Sequence, residues 1–409
     1  METILVVGGR PETLVKAKEI GLRVLSLQHK DRLLPAHVAA ADALFLVDYT
    51  DWELTRPLVE TVHEVYGFTH VVSLAEQCME TVGRINDLLG LPGTSEEVSA
   101  LFKDKLAMRE HLAGTDVPTV AAASVEDADA IRAFGAEHGY PVVLKPIGNT
   151  ASRGVRIIDS ADDVDQAWRE ANGLAGRTDL VLGQFFPVDR FLVEEFIGGP
   201  EYSVETFSFD GRHSVVAITE KYTWGVVEAA HALPARISPQ SEREVVSYIR
   251  AFLDAMGLRD GLAHTEIKIT DKGPRVIESH NRIAGERIPD LVISAYEIDL
   301  EQYSVGAPFG LLPELPDRPE ALRGAATRFF AAEPGRIVAI HGADEVREHE
   351  ATVDLEFFVG IGDTAVLVVE NFDRSGQVLA RGVDTAAAAD ICDRLAEKIS
   401  FETVPDRAS

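Results

Sequence analysis

Short continuous apolar runs open the chain at residues 4–7, 24–27 and 43–47, and residues 11–20 between the first two carry helical spacing. This rhythm predicts a right-handed parallel βαβ unit. Val71-Val72-Ser73-Leu74 closes it, with Ala75-Glu76 at the carboxyl end, where open α/β sheets place ligands. The turn cluster 90–95 predicts a boundary. Helical spacing follows over 95–112, with Glu96-Glu97 in the first turn after a capping Ser95, and a new strand is expected to begin at 117–120. Residues 140–146 form an apolar strand ending at Lys145; a small, polar, glycine-bearing loop over 147–154 leads into a strand at 155–158. Further strands are expected at 191–197 and 215–219, and an amphipathic helix at 241–256. Alternating residues 265–269, the turn 270–274 and residues 276–278 read as a β-hairpin. From Arg323 onward, strands at 325–330, 336–340, 353–359 and 364–369, a turn at 373–376 and a helix over 385–399 predict a small α+β domain.

A length of 409 residues implies two to three units rather than one core. The chain is 46% hydrophobic with no apolar run long enough to span a bilayer, and it enters its first strand without a basic leader. A cytoplasmic protein without an export signal is expected. Cys78 and Cys392 are the only cysteines, so neither a structural disulfide nor a cysteine zinc site is expected. With 39 basic and 67 acidic residues, the net charge of −28 disfavours nucleic acid and anionic membrane as partners.

The candidate chemistry sits on the hairpin. Antiparallel pairing can bring Glu266 and Glu278 side by side, and two such carboxylates repel unless neutralised. Mg2+ takes carboxylates together with substrate phosphates. Arg282, four residues on, offers a planar fork to a carboxylate or phosphoryl group. A surface hairpin with scattered charges is the plain alternative. Lys145 delivers an ammonium from a buried strand, and the loop behind it can donate backbone N–H groups and the Ser152 hydroxyl to phosphates. The strand 191–197 runs into Gly198-Gly199-Pro200, an extended hinge that leaves backbone groups for an adenine edge, and Glu201 just past it is within reach of ribose hydroxyls. Glu228 and His231 share a face if the local structure is helical or turn-like, and would suit an ammonium. Gly8-Gly9-Arg10 lacks the spacing of a dinucleotide site, but could contact the substrate of a neighbouring domain.

In their order along the chain, these pieces resemble the ATP-grasp superfamily of carboxylate–amine ligases. The order runs from the βα domain through Lys103-Asp104-Lys105, Lys145 with its loop, Glu194-Glu195-Phe196-Ile197 and Glu201 to Glu266 and Glu278. Glu278-Ser279-His280-Asn281-Arg282-Ile283-Ala284-Gly285 and Glu228-Ala229-Ala230-His231 are similar to the L-amino-acid ligase (dipeptide synthetase) branch. The resemblance implies an α/β and α+β multidomain protein with the ATP-grasp fold. Its units would be an N-terminal Rossmann-like domain (1–93), an ATP-grasp domain (94–315, its lid about 115–195 and large part about 196–315) and a C-terminal α+β domain (316–409).

It implies ATP contacts from Lys105, Lys145, Ser152, Gly154, Glu194, Glu195, Ile197, Glu201 and Lys221. Mg2+, or Mn2+ in its place, would be held by Glu266, Glu278 and Asn281, the last because His280 stands where the superfamily usually has asparagine. Arg282, Lys145 and Ser152 would be catalytic, and Glu228, His231, Arg282 and Gly285 would contact the amino-acid substrate. The implied activity is amide formation through an acyl phosphate, with ADP and phosphate released and the loop 147–154 keeping water away. Small amino acid and amine substrates are the implied partners, in a homodimer if the family's habit holds. A biotin-carboxylase-like or purine-pathway enzyme, and a non-catalytic nucleotide-binding protein, are the competing readings.

Overall fold

In the computed structural model, which describes residues 1–148, 153–177, 188–225 and 227–405, four parallel strands form the first sheet. Their order is Ala43–Leu46, Arg23–Gln28, Thr3–Val7, His70–Val72. The continuous apolar runs are buried because helices cover both faces of this sheet.

The second sheet is antiparallel, ordered Ala122–Val125, Phe191–Glu195, Val142–Pro146, Arg156–Ile158. The expected strand at 117–120 is absent; the strand begins at Ala122, beyond Pro118, whose missing N–H suits a ladder poorly. The loop 147–154 falls partly outside the described residues, and Ser152 lies among those not described.

The largest sheet has 8 strands: Gly273–His280, Gly261–Thr270, Glu201–Phe209, Arg212–Trp224, Val227–Leu233, Gly324–Phe330, Gly376–Gly382 and Thr352–Phe357. The helix Pro239–Ala255 packs Val245, Ile249 and Phe252 against one face, meeting Val204, Val215 and Ile267. The helix Ile288–Tyr296 buries Leu291 and Val292 against Phe207, Ala217 and Leu233 on the other. Strands after residue 316 belong to this same sheet: Gly324–Phe330 pairs with Val227–Leu233, so the sheet runs unbroken across the expected boundary. A small sheet of Thr364–Ala365, Gly335–His341 and Ser400–Val404 completes the C-terminal part. The strand expected over 364–369 is only Thr364–Ala365.

The helical stretch 95–112 is two helices, Glu96–Lys103 and Lys105–Ala113, broken at Asp104. Asp104 is extended, and its side chain accepts the Ala107 N–H at 2.9 Å, capping the second helix. That break sends Lys103 outward to Glu80 and Lys105 inward to Glu278.

Candidate active site

The hairpin forms in the expected register, with Glu266 directly opposite Glu278. Side chains alternate along a strand, so His264, Glu266 and Lys268 share one face, as do Glu278 and His280. Thr265 and Ser279 face the other way and hydrogen bond at 2.7 Å. Asn281 leaves the side that carries the two carboxylates: its Nδ2 donates to Ser99 Oγ at 3.2 Å, and it lines a different cavity with Val71, Val72 and Phe207. Strand parity therefore brings together Glu266 and Glu278 but not Asn281; His280 is the neighbour instead.

One cleft is lined by Lys105, Lys145, Glu201, Lys221, Glu266 and Glu278, with Ile197 and Glu194 also on its wall. Lys105 Nζ lies 3.0 Å from Glu278, and Lys221 Nζ lies 2.5 Å from Glu266, 2.8 Å from Glu228 and 3.1 Å from Glu201. Burial raises the Glu266 and Glu278 carboxyls, but Lys221 and Lys105 outweigh it and hold both below the ordinary carboxylate range. Glu201 goes the other way: its burial exceeds the pull of Lys221, and its carboxyl is raised. Lys221, against burial, is held well above the usual lysine range by Glu228, Glu266 and Glu201.

A second knot sits at the antiparallel sheet of four strands. Lys145 Nζ lies 2.6 Å from Glu194, and Arg109 Nε lies 3.1 Å from the same carboxylate. Where the hairpin ladder shifts after Glu266–Glu278, Ile277 is the unpaired residue, and its carbonyl accepts from Arg109 Nη2 at 2.8 Å and Lys145 Nζ at 3.4 Å. The bulge thus ties the hairpin to the helix of Arg109 and the strand of Lys145. Burial lowers the Lys145 ammonium from its ordinary value, even beside Glu194. Nothing in the sequence singles out Arg109, since a lone arginine in an amphipathic helix carries no signal. Glu195 faces away, its carboxylate accepting the Ala121 N–H at 2.7 Å. Gly154 adopts φ +77, and a Cβ there would approach Pro146 Cγ to 3.0 Å.

The Glu228/His231 pair is in a strand, not a helix or turn. Residues three apart on a regular strand face opposite ways, yet Glu228 Oε2 is 3.7 Å from His231 Nε2. The reason is a bulge: Tyr222 pairs with Ala230 and Thr223 with Glu228, leaving Ala229 unpaired and restoring a common face.

Another cleft is lined by Gly9, Arg10, Glu76, Arg282, Gly285 and Glu286. This places the Gly8-Gly9-Arg10 turn next to the Arg282 side of the site. Glu76 accepts from Arg282 Nη2 at 2.9 Å and Nε at 3.3 Å, and lies 3.2 Å from His280 Nδ1. Burial raises the Glu76 carboxyl, but His280 and Arg282 carry it far below the usual range. His280 Nε2 sits 3.3 Å from Glu278 without the alignment of a hydrogen bond. His264 mirrors it, with Nδ1 2.8 Å from Glu205 and Nε2 3.5 Å from Glu266. Each acid of the opposed pair is thus flanked by an imidazole that a further carboxylate orients. Ionised, opposed, hard-oxygen carboxylates at a cleft that also holds lysines fit a divalent cation of the Mg2+ type.

Three family models match parts of the chain: an ATP-grasp N-terminal domain over residues 14–93, an ATP-grasp domain over 138–290 and an L-amino acid ligase C-terminal domain 2 over 328–404. The chain is 29% identical over 393 residues to the uncharacterized protein y4rH of Sinorhizobium fredii, covering 91% of this chain and 79% of that one. It is 24% identical over 320 residues to the alanine–anticapsin ligase of Bacillus subtilis, covering 74% of this chain and 66% of the ligase. The L-amino acid ligase from Bacillus licheniformis has the same fold, with a TM-score of 0.81 at 19% identity over 99% of both chains.

Proposed function

We propose that this chain, which matches ATP-grasp and L-amino acid ligase domain models, is a carboxylate–amine ligase that activates an amino-acid carboxylate as an acyl phosphate and passes it to an amine. The observation that carries this reading is that His280 and Glu76 link the two clefts, His280 lying 3.3 Å from Glu278 and 3.2 Å from Glu76, which holds Arg282. Opposed Glu266 and Glu278, with Lys105, Lys145 and Lys221, stand in one, and Arg282 with Glu76 in the other.

A carboxylate cannot be attacked productively by an amine, because oxide is too poor a leaving group. In the first step a carboxylate oxygen bonds to the γ-phosphorus of ATP and the bond from phosphorus to the β–γ bridging oxygen breaks, releasing ADP. In the second, the amine nitrogen bonds to the acyl carbon, phosphate leaves, and the nitrogen gives up a proton. Lys105 and Lys145 supply ammonium charge along the triphosphate, which is most of what phosphoryl transfer asks of a protein. Glu266 and Glu278 would hold Mg2+ or Mn2+, which neutralises phosphate charge when bound. Arg282, its guanidinium anchored by Glu76, faces the oxyanion that builds on the acyl carbon. Glu201 takes the ribose side, and Glu228 with His231 the amino acid.

Incubation with ATP, Mg2+ and pooled amino acids tests the reading. Amino-acid-dependent release of ADP and phosphate is expected. AMP release would sink the acyl-phosphate route, and the absence of any amino-acid dependence would leave only a nucleotide-binding protein.

A further inference from the structure

The amino-acid side of the site is built in part by the C-terminal domain. Asn371 grips Glu228 twice: its Oδ1 accepts the Glu228 backbone N–H at 3.0 Å, and its Nδ2 donates to Glu228 Oε2 at 3.2 Å. Arg374 spreads its donors in three directions. Nη1 donates to the Glu228 carbonyl at 3.2 Å, Nη2 pairs with Glu286 at 2.6 Å, and Nε donates to the Asn371 carbonyl at 2.6 Å. Its guanidinium lies over the Phe329 ring at 3.8 Å, and that ring meets His231 edge-on at 5.7 Å. Asn371 and Arg374 are buried, so these contacts are shielded from competing water.

Ligand atoms of Glu228, His231 and Glu286 all lie within 4.8 Å of one another. His231 is 0% exposed, yet among the described residues neither ring nitrogen has a hydrogen-bond partner. A buried polar group in that condition costs free energy until something binds it. Two carboxylates and an imidazole nitrogen converge as three acceptors, and a primary ammonium brings three donors. Glu286 is held there at φ +54, a backbone conformation that non-glycine residues adopt rarely, with Arg374 on its carboxylate.

We infer that Asn371 and Arg374 are positioning residues that set Glu228 and Glu286 around the ammonium of an amino-acid substrate, so that the C-terminal domain completes the substrate site. The inference rests on the ligase reading above. Asparagine suits its place because it both accepts and donates; aspartate could not donate, and would set a second negative charge against Glu228. Arginine suits its own because lysine cannot send donors along three fixed directions.

Asn371→Asp, Asn371→Ala, Arg374→Ala and Arg374→Lys, each checked for fold by circular dichroism and melting, decide the matter through separate KM values. The probe is the most active amino acid from the pooled assay. Asn371→Asp is expected to raise the amino-acid KM about tenfold or more, which is about 1.4 kcal/mol, and to leave the ATP KM within about twofold. Arg374→Lys should recover part of what Arg374→Ala loses. If wild-type turnover is present and both KM values rise together, or neither moves in folded variants, the inference is overturned while the ligase reading stands. If wild-type protein shows no amino-acid-dependent turnover, both fall.

Discussion

Glu266 and Glu278 stand directly opposite each other across the hairpin, and each is held by a different lysine, Lys221 at 2.5 Å and Lys105 at 3.0 Å. The two lysines come from distant elements, the strand Arg212–Trp224 and the start of the helix Lys105–Ala113. Each carboxylate is thereby kept ionised and available to a cation.

Replacing Glu278 with alanine is expected to reduce turnover by at least about 100-fold, the scale of losing a principal electrostatic element. The fold should persist, and Mn2+ binding followed by electron paramagnetic resonance should weaken with it. Near-wild-type activity would remove Glu278 from the metal site.

Lys221→Met strips one ammonium from three carboxylates, Glu201, Glu228 and Glu266. Leaving buried charge unpaired costs about 3–5 kcal/mol. A lowered melting temperature, partly restored by Mg2+ with ATP, is the expected result. An unchanged melting temperature would show that solvent reaches these acids.

Glu194 gives a pH dependence with a definite sign. Burial raises its carboxyl, but Lys145 and Arg109 outweigh that and hold it below the ordinary value of 4.5. Its stabilisation is therefore present above pH 4.5 and lost as pH falls through the depressed value. Glu194→Gln should be less stable than wild type at neutral pH, with the gap narrowing only below pH 4.5. Chemical denaturation at a series of pH values measures it; a gap that stays constant into acid would contradict the assignment.

His280→Ala removes the imidazole between Glu76 and Glu278. Groups that orient metal ligands are worth about 10–100-fold in metal affinity. Mn2+ affinity measured by calorimetry should therefore fall by about tenfold with the fold unchanged. Equal affinity would make His280 a packing residue.

Much of the site is legible in the residue order. The hairpin, Glu266 against Glu278, Lys145 at a strand end and Glu201 past a glycine turn all follow from alternation and turn chemistry, which act over a few residues. Asp104 breaks one predicted helix into two because a capping side chain competes with the helix locally, and nothing in the periodicity of 95–112 marks that choice. Asn281, expected at the metal, is turned by the strand's parity to Ser99.

Alone, the chain's residue order determined the hairpin, the acid pair and the succession of charged groups that carries the resemblance, because these rest on local periodicity. Tertiary structure decided which groups meet. A single unpaired residue, Ala229, puts Glu228 and His231 on one face, and such bulges are set by how neighbouring strands pair rather than by the strand itself. Arg282 finds Glu76 from 206 residues away, and Asn371 finds Glu228 from 143. Contacts of that span depend on how whole sheets dock, where burial of apolar faces dominates the free energy and polar partners are brought together as a result.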